Sequence, residues 1–188
     1  MAVSQRSLYL TGNPQIGLYM ERLWQHAFAA AQSSQWLANH CGCRTQADDA
    51  FMAGLLHNIG QLVILRVIDE LSANKQLGGG PLPENLLNEL LNSNMHNAMG
   101  YVLMKRWNLP DEYCIVARDH HREPYDSDNI LLTIVRLADQ ACEKLGIGLR
   151  SDSSIALAAT PEAQALGLGE IVLTEVEILL EDSVTMAG

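Results

Sequence analysis

The stretch Ala53-Gly54-Leu55-Leu56-His57-Asn58-Ile59-Gly60 sets an imidazole and a carboxamide side by side in an otherwise apolar run. Polar groups in such a run need partners, because an unpaired buried polar atom costs roughly 1–3 kcal/mol. The surroundings read as helix. Upstream, Thr45-Gln46-Ala47-Asp48 has the form of a capping box with Asp in place of Glu. Downstream, Leu62 to Ile68 continue the apolar pattern, with a bend expected at Gly60.

Helical signals extend outward in both directions. Asn13-Pro14 offers a cap and a first-turn proline for a helix running to about residue 39. Leu23, His26, Ala27, Ala30, Ser34 and Leu37 recur at the 3, 4 spacing of its inward face. Gly78-Gly79-Gly80-Pro81 reads as a flexible connection, and Pro83 opens a short helix over 84–91. Asn94 can cap a helix carrying His96, Gly100, Leu103 and Trp107 on one face, ended by Asn108-Leu109-Pro110. Pro110-Asp111-Glu112 starts another, which ends at His120-His121. Ser127 or Asp128 caps a sixth, with Leu132, Val135, Asp139 and Cys142 facing inward and Gly146 and Gly148 ending it. The tail offers a short helix from Pro161 and a longer one over 170–180, where Ile171-Val172-Leu173-Thr174 also fits a strand. The chain reads as all-α. We expect a lead-in over 1–12, one helical domain over 13–150, and a helical extension over 151–188 packed on it.

Composition narrows the function classes. Of 188 residues, 48% are hydrophobic, enough for a sizeable core, and only 18% are charged, against about 25% in typical soluble domains. That shortage points to a surface covered by a protein partner, another domain of the same chain, or a second copy. The net charge is −10, and the twelve Lys and Arg show no cluster beyond Lys105-Arg106, which argues against nucleic acid or an anionic membrane as partner. No unbroken apolar run reaches the roughly 20 residues of a membrane span, and the N-terminus lacks a secretion signal. Cys41, Cys43, Cys114 and Cys142 therefore read as reduced thiols of a cytoplasmic protein. Trp24, Trp36 and Trp107 read as core. In the tail, Ile171, Val172, Val176, Leu179 and Leu180 form an apolar stripe beside an acidic face.

His26, His57, Asn58, His96, His120, His121 and Asp139 come from five helices, each near an apolar face or a helix end. Imidazole nitrogen and carboxylate oxygen suit Zn, Fe, Mn and Ni, and helix bundles build metal sites in this way. The same groups also suit a buried hydrogen-bonded network, in which Asn58 bridges Asp139 to a histidine.

The words around these residues resemble the HD-related output domain (HDOD) family, within the HD phosphohydrolase superfamily. They are Leu23-Trp24-Gln25-His26, Ala53 to Gly60, His96-Asn97-Ala98-Met99-Gly100, Trp107-Asn108-Leu109-Pro110, His120-His121-Arg122-Glu123-Pro124 and Ala138-Asp139. The resemblance covers roughly residues 20–150 and implies an HD-like bundle of about six to eight helices. It also implies a regulatory role in bacterial signalling. Members carry more helices ahead of the first histidine word, so a fragment of a longer chain, or a domain lacking its N-terminal half, is expected. Carried over from the HD hydrolases, His26, His57 and Asp139 would hold a first metal, and His96, His120 and His121 a second. The position of Asn58 would carry the carboxylate that bridges the two.

Asn58 departs from that pattern. An amide oxygen can ligate but has no charge to offset the repulsion of two dications. The expected cofactor is therefore none or a single divalent ion (Fe, Mn, Zn or Ni). The expected function is a non-catalytic signalling module, with a metal-dependent phosphohydrolase of nucleotides or cyclic dinucleotides as the alternative. Arg118 and Arg122 are the candidate phosphate-binding residues for that alternative.

Overall fold

The computed structural model describes residues 11–76 and 82–187, the side chains as far as Ser183. The expected lead-in falls outside the described residues up to residue 10, and so does the connection Gly78-Gly79-Gly80-Pro81. The chain forms an all-α bundle: α1 (Pro14–His40), α2 (Ala47–Leu56), α3 (Ile59–Ala73), α4 (Glu84–Asn92), α5 (Met95–Arg106), α6 (Asp111–Asp119), α7 (Ile130–Lys144), α8 (Pro161–Ala165) and α9 (Glu170–Ala187). No strand occurs among the described residues, and Ile171 to Thr174 are helical.

The long helix α1 is the axis of the bundle. Asn13 caps it, its Oδ1 accepting from the backbone N–H groups of Gln15 and Ile16. The residues read at 3, 4 spacing are all buried. Small residues along α1 let α2 approach closely. A methyl group on Gly54 would lie 2.7 Å from the carbonyl oxygen of Ala30 and 2.8 Å from Ser34 Oγ.

The core has two parts. The larger gathers residues from α1, α2 and α5 to α9. The smaller joins Ile16, Tyr19, Met20 and Leu23 of α1 to α3 and α4. His26 follows Leu23 on α1, where one part gives way to the other.

The helix expected to bend at Gly60 instead breaks at His57–Asn58. Asn58 has φ −101° and ψ 17° and starts α3 without capping it with its side chain. A free N-cap side chain forfeits about 1 kcal/mol, and this one contacts His26, His57 and His120 instead. Gly60 has a different role. A Cβ there would lie 1.9 Å from the carbonyl oxygen of His96 and 2.8 Å from Gly100 N, so α3 and α5 touch backbone to backbone. No unbroken apolar run spans a membrane's width, yet an 18-residue stretch within Arg44–Ala73 is apolar enough on average to cross one by length and composition. In the fold Arg44–Ala73 is a 3₁₀ turn and two helices, with one side against α1 and α5.

Other expectations need correction. Thr45 lies in the 3₁₀ turn Arg44–Gln46 and does not cap α2. Asn94 makes no capping bond, and Asn129 rather than Ser127 or Asp128 caps α7. Trp107 is 55% exposed, because Met104 takes the inward position on α5, and Trp24 and Trp36 are half-buried. On α9 the buried face is Leu173, Val176 and Leu180, while Ile171 points to solvent.

The close approach at Gly60 makes Gly60→Ala costly: we expect a loss of at least about 3 kcal/mol in denaturant unfolding, the upper end for forced overpacking. Gly169→Ala, which meets open space, should change stability by less than about 0.5 kcal/mol. Equal effects at the two positions would contradict the α3–α5 contact.

Candidate metal centre

The break between α2 and α3 projects His57 and Asn58 toward α1, α6 and α7. His26 comes from α1, His96 from the first turn of α5, His120 and His121 from the end of α6, and Asp139 from the middle of α7. All seven sequence-predicted ligand positions converge. Six are buried and His121 is partly exposed.

Four of the imidazoles share one orientation. Each Nδ1 lies against a backbone carbonyl, to which it donates: His26 on Ile147 (2.9 Å), His57 on Gly54 (2.6 Å), His96 on Ser93 (2.6 Å) and His120 on Ala117 (3.0 Å). A carbonyl only accepts, so the proton of each neutral ring is on Nδ1 and Nε2 carries a bare lone pair. Metal-ligating histidines are held in this way. The Nε2 atoms face one another: those of His26 and His57 are 3.2 Å apart, and those of His96 and His120 3.4 Å apart.

Two ligand sets result, His26–His57–Asp139 and His96–His120–His121, with the ligand atoms of each within 4.8 Å of one another. Asp139 Oδ1 lies 3.2 Å from His26 Nε2 and 3.6 Å from His57 Nε2. Asn58 lies between the sets. Its Nδ2 is 3.1 Å from His26 Nε2 and 2.9 Å from His57 Nε2, and its Oδ1 is 3.1 Å from His120 Nε2. It thus joins histidine to histidine, not Asp139 to a histidine. Neither orientation of the amide satisfies every neighbour while the rings are neutral. As placed, its oxygen opposes the lone pair of His120, and turned over it would oppose that of His57. A proton or a metal ion resolves such a conflict, and the donor atoms of both sets suit a divalent metal.

Protonation is strongly biased by burial and by Asp139. Burial holds His96 down to about 4 and His121 to about 3, and pushes buried His120 well below the usual histidine range. For His26 burial also works downward, but its hydrogen bonds to Asp139 and Cys142 outweigh it and raise the value well above 6.5. Asp139 is the converse. Burial alone would raise its pKa, yet His26 and His57 hold it well below the carboxylate range.

Arg118 and Arg122 are not at the centre. Arg118 forks onto Asp119 at 2.6 and 2.9 Å, and Arg122 lies 3.8 Å from the same carboxylate. Arg150, which no sequence motif singles out, does reach the centre. It lies in the loop after α7, with its Nη2 2.9 Å from His121 Nε2 and 3.4 Å from Asp139 Oδ2. Arg136 supports the centre from behind, donating to the carbonyl of His120 at 2.8 Å and to buried Glu162 at 2.7 Å. The cavity beside His26, Asn58, Asp139 and Arg150 is about 20 Å³, room for one water or one ion.

A family model described as HDOD domain matches residues 2–123, ahead of Asp139 and Arg150. A solved structure from Marinobacter aquaeolei VT8, provisionally described as a signal transduction protein, is 27% identical with a TM-score of 0.64. That match covers 88% of this chain and 38% of the other. An HDOD domain protein with unknown function from Geobacter sulfurreducens shares the fold at 22% identity and a TM-score of 0.59, over 87% of this chain and 59% of its own. An uncharacterised protein of Treponema pallidum (strain Nichols) is 28% identical over 112 residues, which is 56% of this chain and 21% of that protein. The chain spans less than two thirds of each of these relatives.

The protonation pattern sets a pH optimum for stability in the presence of a chelator. Between about pH 6.5 and 4 the unfolded chain takes up protons that His96, His120 and His121 refuse, so stability falls on acidification. Each histidine contributes up to about 1.4 kcal/mol per pH unit. Above about pH 6.5 the contribution of protonated His26 is lost as the pH rises through its elevated value. Denaturant unfolding across this range should therefore peak near pH 6.5. A flat acid limb would show that these three rings titrate freely in the folded protein.

Proposed function

The chain belongs to the HDOD family, and from that membership we propose that it is a signalling module that acts through protein contacts, with one divalent ion at its histidine centre and no hydrolytic activity. Asn58 carries this reading. It stands where the HD pattern requires an anion between two metals, and it supplies only an uncharged amide shared among three histidines. Two dications a few ångströms apart repel strongly in a buried site, and Asp139 is the one carboxylate against the histidine nitrogens among the described residues.

The small size of the cavity at the centre supports the same reading. A cavity of about 20 Å³ is far below the roughly 300 Å³ of a small-molecule pocket. Of the two arginines that could have held phosphate, Arg118 is committed to Asp119 and exposed Arg122 lies 3.8 Å from the same carboxylate. A single ion would be held by His26, His57 and Asp139, with Fe, Mn, Zn and Ni as candidates. It would supply Lewis acidity and fixed positive charge. The chain's own residues supply the orientation: Ile147 and Gly54 fix the two rings, and Asn58 spans to His120.

The partner in this proposal is a protein, either another domain of the same signalling chain or a separate molecule, including a second copy. Met95 and Val102 of α5 and Trp107 just after it are 50%, 63% and 55% exposed and would face the partner. The scattered basic residues and net charge of −10 favour neither nucleic acid nor membrane, and the proposed location is cytoplasmic. One observation favours the hydrolase alternative, namely that both histidine sets keep their convergence.

Metal analysis and a phosphodiester assay with added Mn or Fe separate the two readings, with Asn58→Asp run beside the unmodified protein. We expect about one ion per chain, no turnover by the unmodified protein, and a lower melting temperature after chelation. Turnover of a cyclic dinucleotide by the unmodified protein would end the non-catalytic reading. Stability indifferent to chelator, together with no bound ion, would remove the metal from it.

A further inference from the structure

Arg150 has no role in the reading so far, yet it makes the shortest polar contact to His121. A guanidinium only donates, so at 2.9 Å His121 Nε2 must be the acceptor. The ring's proton is then on Nδ1, which faces Asp139 Oδ2 at 3.8 Å. The lone pair that His121 would offer a metal is therefore occupied. His96 and His120 keep theirs free, with both Nδ1 atoms on carbonyls and both Nε2 atoms facing inward. Two-thirds of a three-histidine site is open, and an internal cation closes the last third.

The loop that carries Arg150 is anchored on both sides of it. Ile147 N donates to the carbonyl of Cys142 and Asp152 N to that of Glu143, each at 2.9 Å. Ile147 also receives His26 Nδ1–H, and Gly148, at φ +121°, packs where a Cβ would lie 3.0 Å from that nitrogen. The backbone is pinned, while the Arg150 side chain is 34% exposed and needs only a rotamer change to reach solvent. Glu143, 3.7 Å from the guanidinium, lies on the same outer side.

We propose that Arg150 is a built-in blocker of a second metal ion: its guanidinium holds His121 and Asp139 in place of a dication, and when it swings out His96, His120 and His121 are free to bind one. Electrostatics act in the same direction as sterics. A dication among these rings would lie beside a fixed positive charge with a single carboxylate, Asp139, shared between them. The proposal rests on reading the histidines as ligands, but not on the His26–His57–Asp139 set being filled.

The test is a difference in stoichiometry. Equilibrium dialysis with Mn²⁺ near neutral pH is run on the unmodified chain, Arg150→Ala and the double variant Arg150→Ala/His121→Ala, each checked for native helicity by circular dichroism. Arg150→Gln replaces Arg150→Ala if the latter unfolds. Arg150→Ala should bind one ion more per chain than the unmodified protein, and the double variant should lose that gain. Equal stoichiometry in the unmodified protein and Arg150→Ala overturns the proposal, and so does a gain that survives loss of His121. An unmodified protein binding no ion speaks against the first set alone, because the difference between the two proteins still decides the role of Arg150.

Discussion

Five imidazoles and one carboxylate close on a single buried amide, and the bundle must accommodate that concentration of lone pairs. Four of the histidines tie Nδ1 to a backbone carbonyl and turn Nε2 inward, while His121 directs Nδ1 at Asp139 and offers Nε2 to Arg150. Removing one partner from such a network leaves a buried polar atom unpaired, a heavier loss than any single hydrogen bond gained. The fold satisfies the outer half of these four rings from its own backbone and leaves the inner half for a proton or a metal.

Helix geometry follows from that demand. A continuous helix through His57 and Asn58 would send successive side chains to different faces. Breaking it between α2 and α3 places the neighbours together on the same centre. Asn58 occupies a capping position and does not cap, because its side chain serves His26, His57 and His120. The flanking glycines let the broken segment sit deep: Gly54 presses α2 onto α1, and Gly60 presses α3 onto α5 just at His96.

Much of this is legible in the sequence, for a definite reason. The periodic faces of α1 and α7 are long, so the burial of His26 and Asp139 follows from spacing alone. Short-range competition is less legible. Asn129 captured the cap of α7 from Ser127 and Asp128, and Gly60 marks a backbone contact with a distant helix, not a bend. Trp107 shares a face with His96 by count, but α5 ends at Arg106 and Asn108 turns at φ 55°, so the ring leaves the core. Arg150 is illegible because its position is set by a loop, whereas Arg118 and Arg122, next to the histidines in sequence, turn to Asp119.

The centre also crosses the boundary drawn by family likeness. The matched span ends at residue 123, yet Asp139 supplies the carboxylate, Ile147 orients His26, and Arg150 holds His121. Arg136 then joins the carbonyl of His120 to Glu162, which is 1% exposed on α8, and stacks 4.2 Å over Tyr125. A buried arginine bonded to two carboxylates and two carbonyls is costly to disturb, because each partner removed leaves charge unpaired in a low-dielectric interior. Histidines from the matched span and charges from beyond it therefore form one electrostatic unit, joined by contacts already in place.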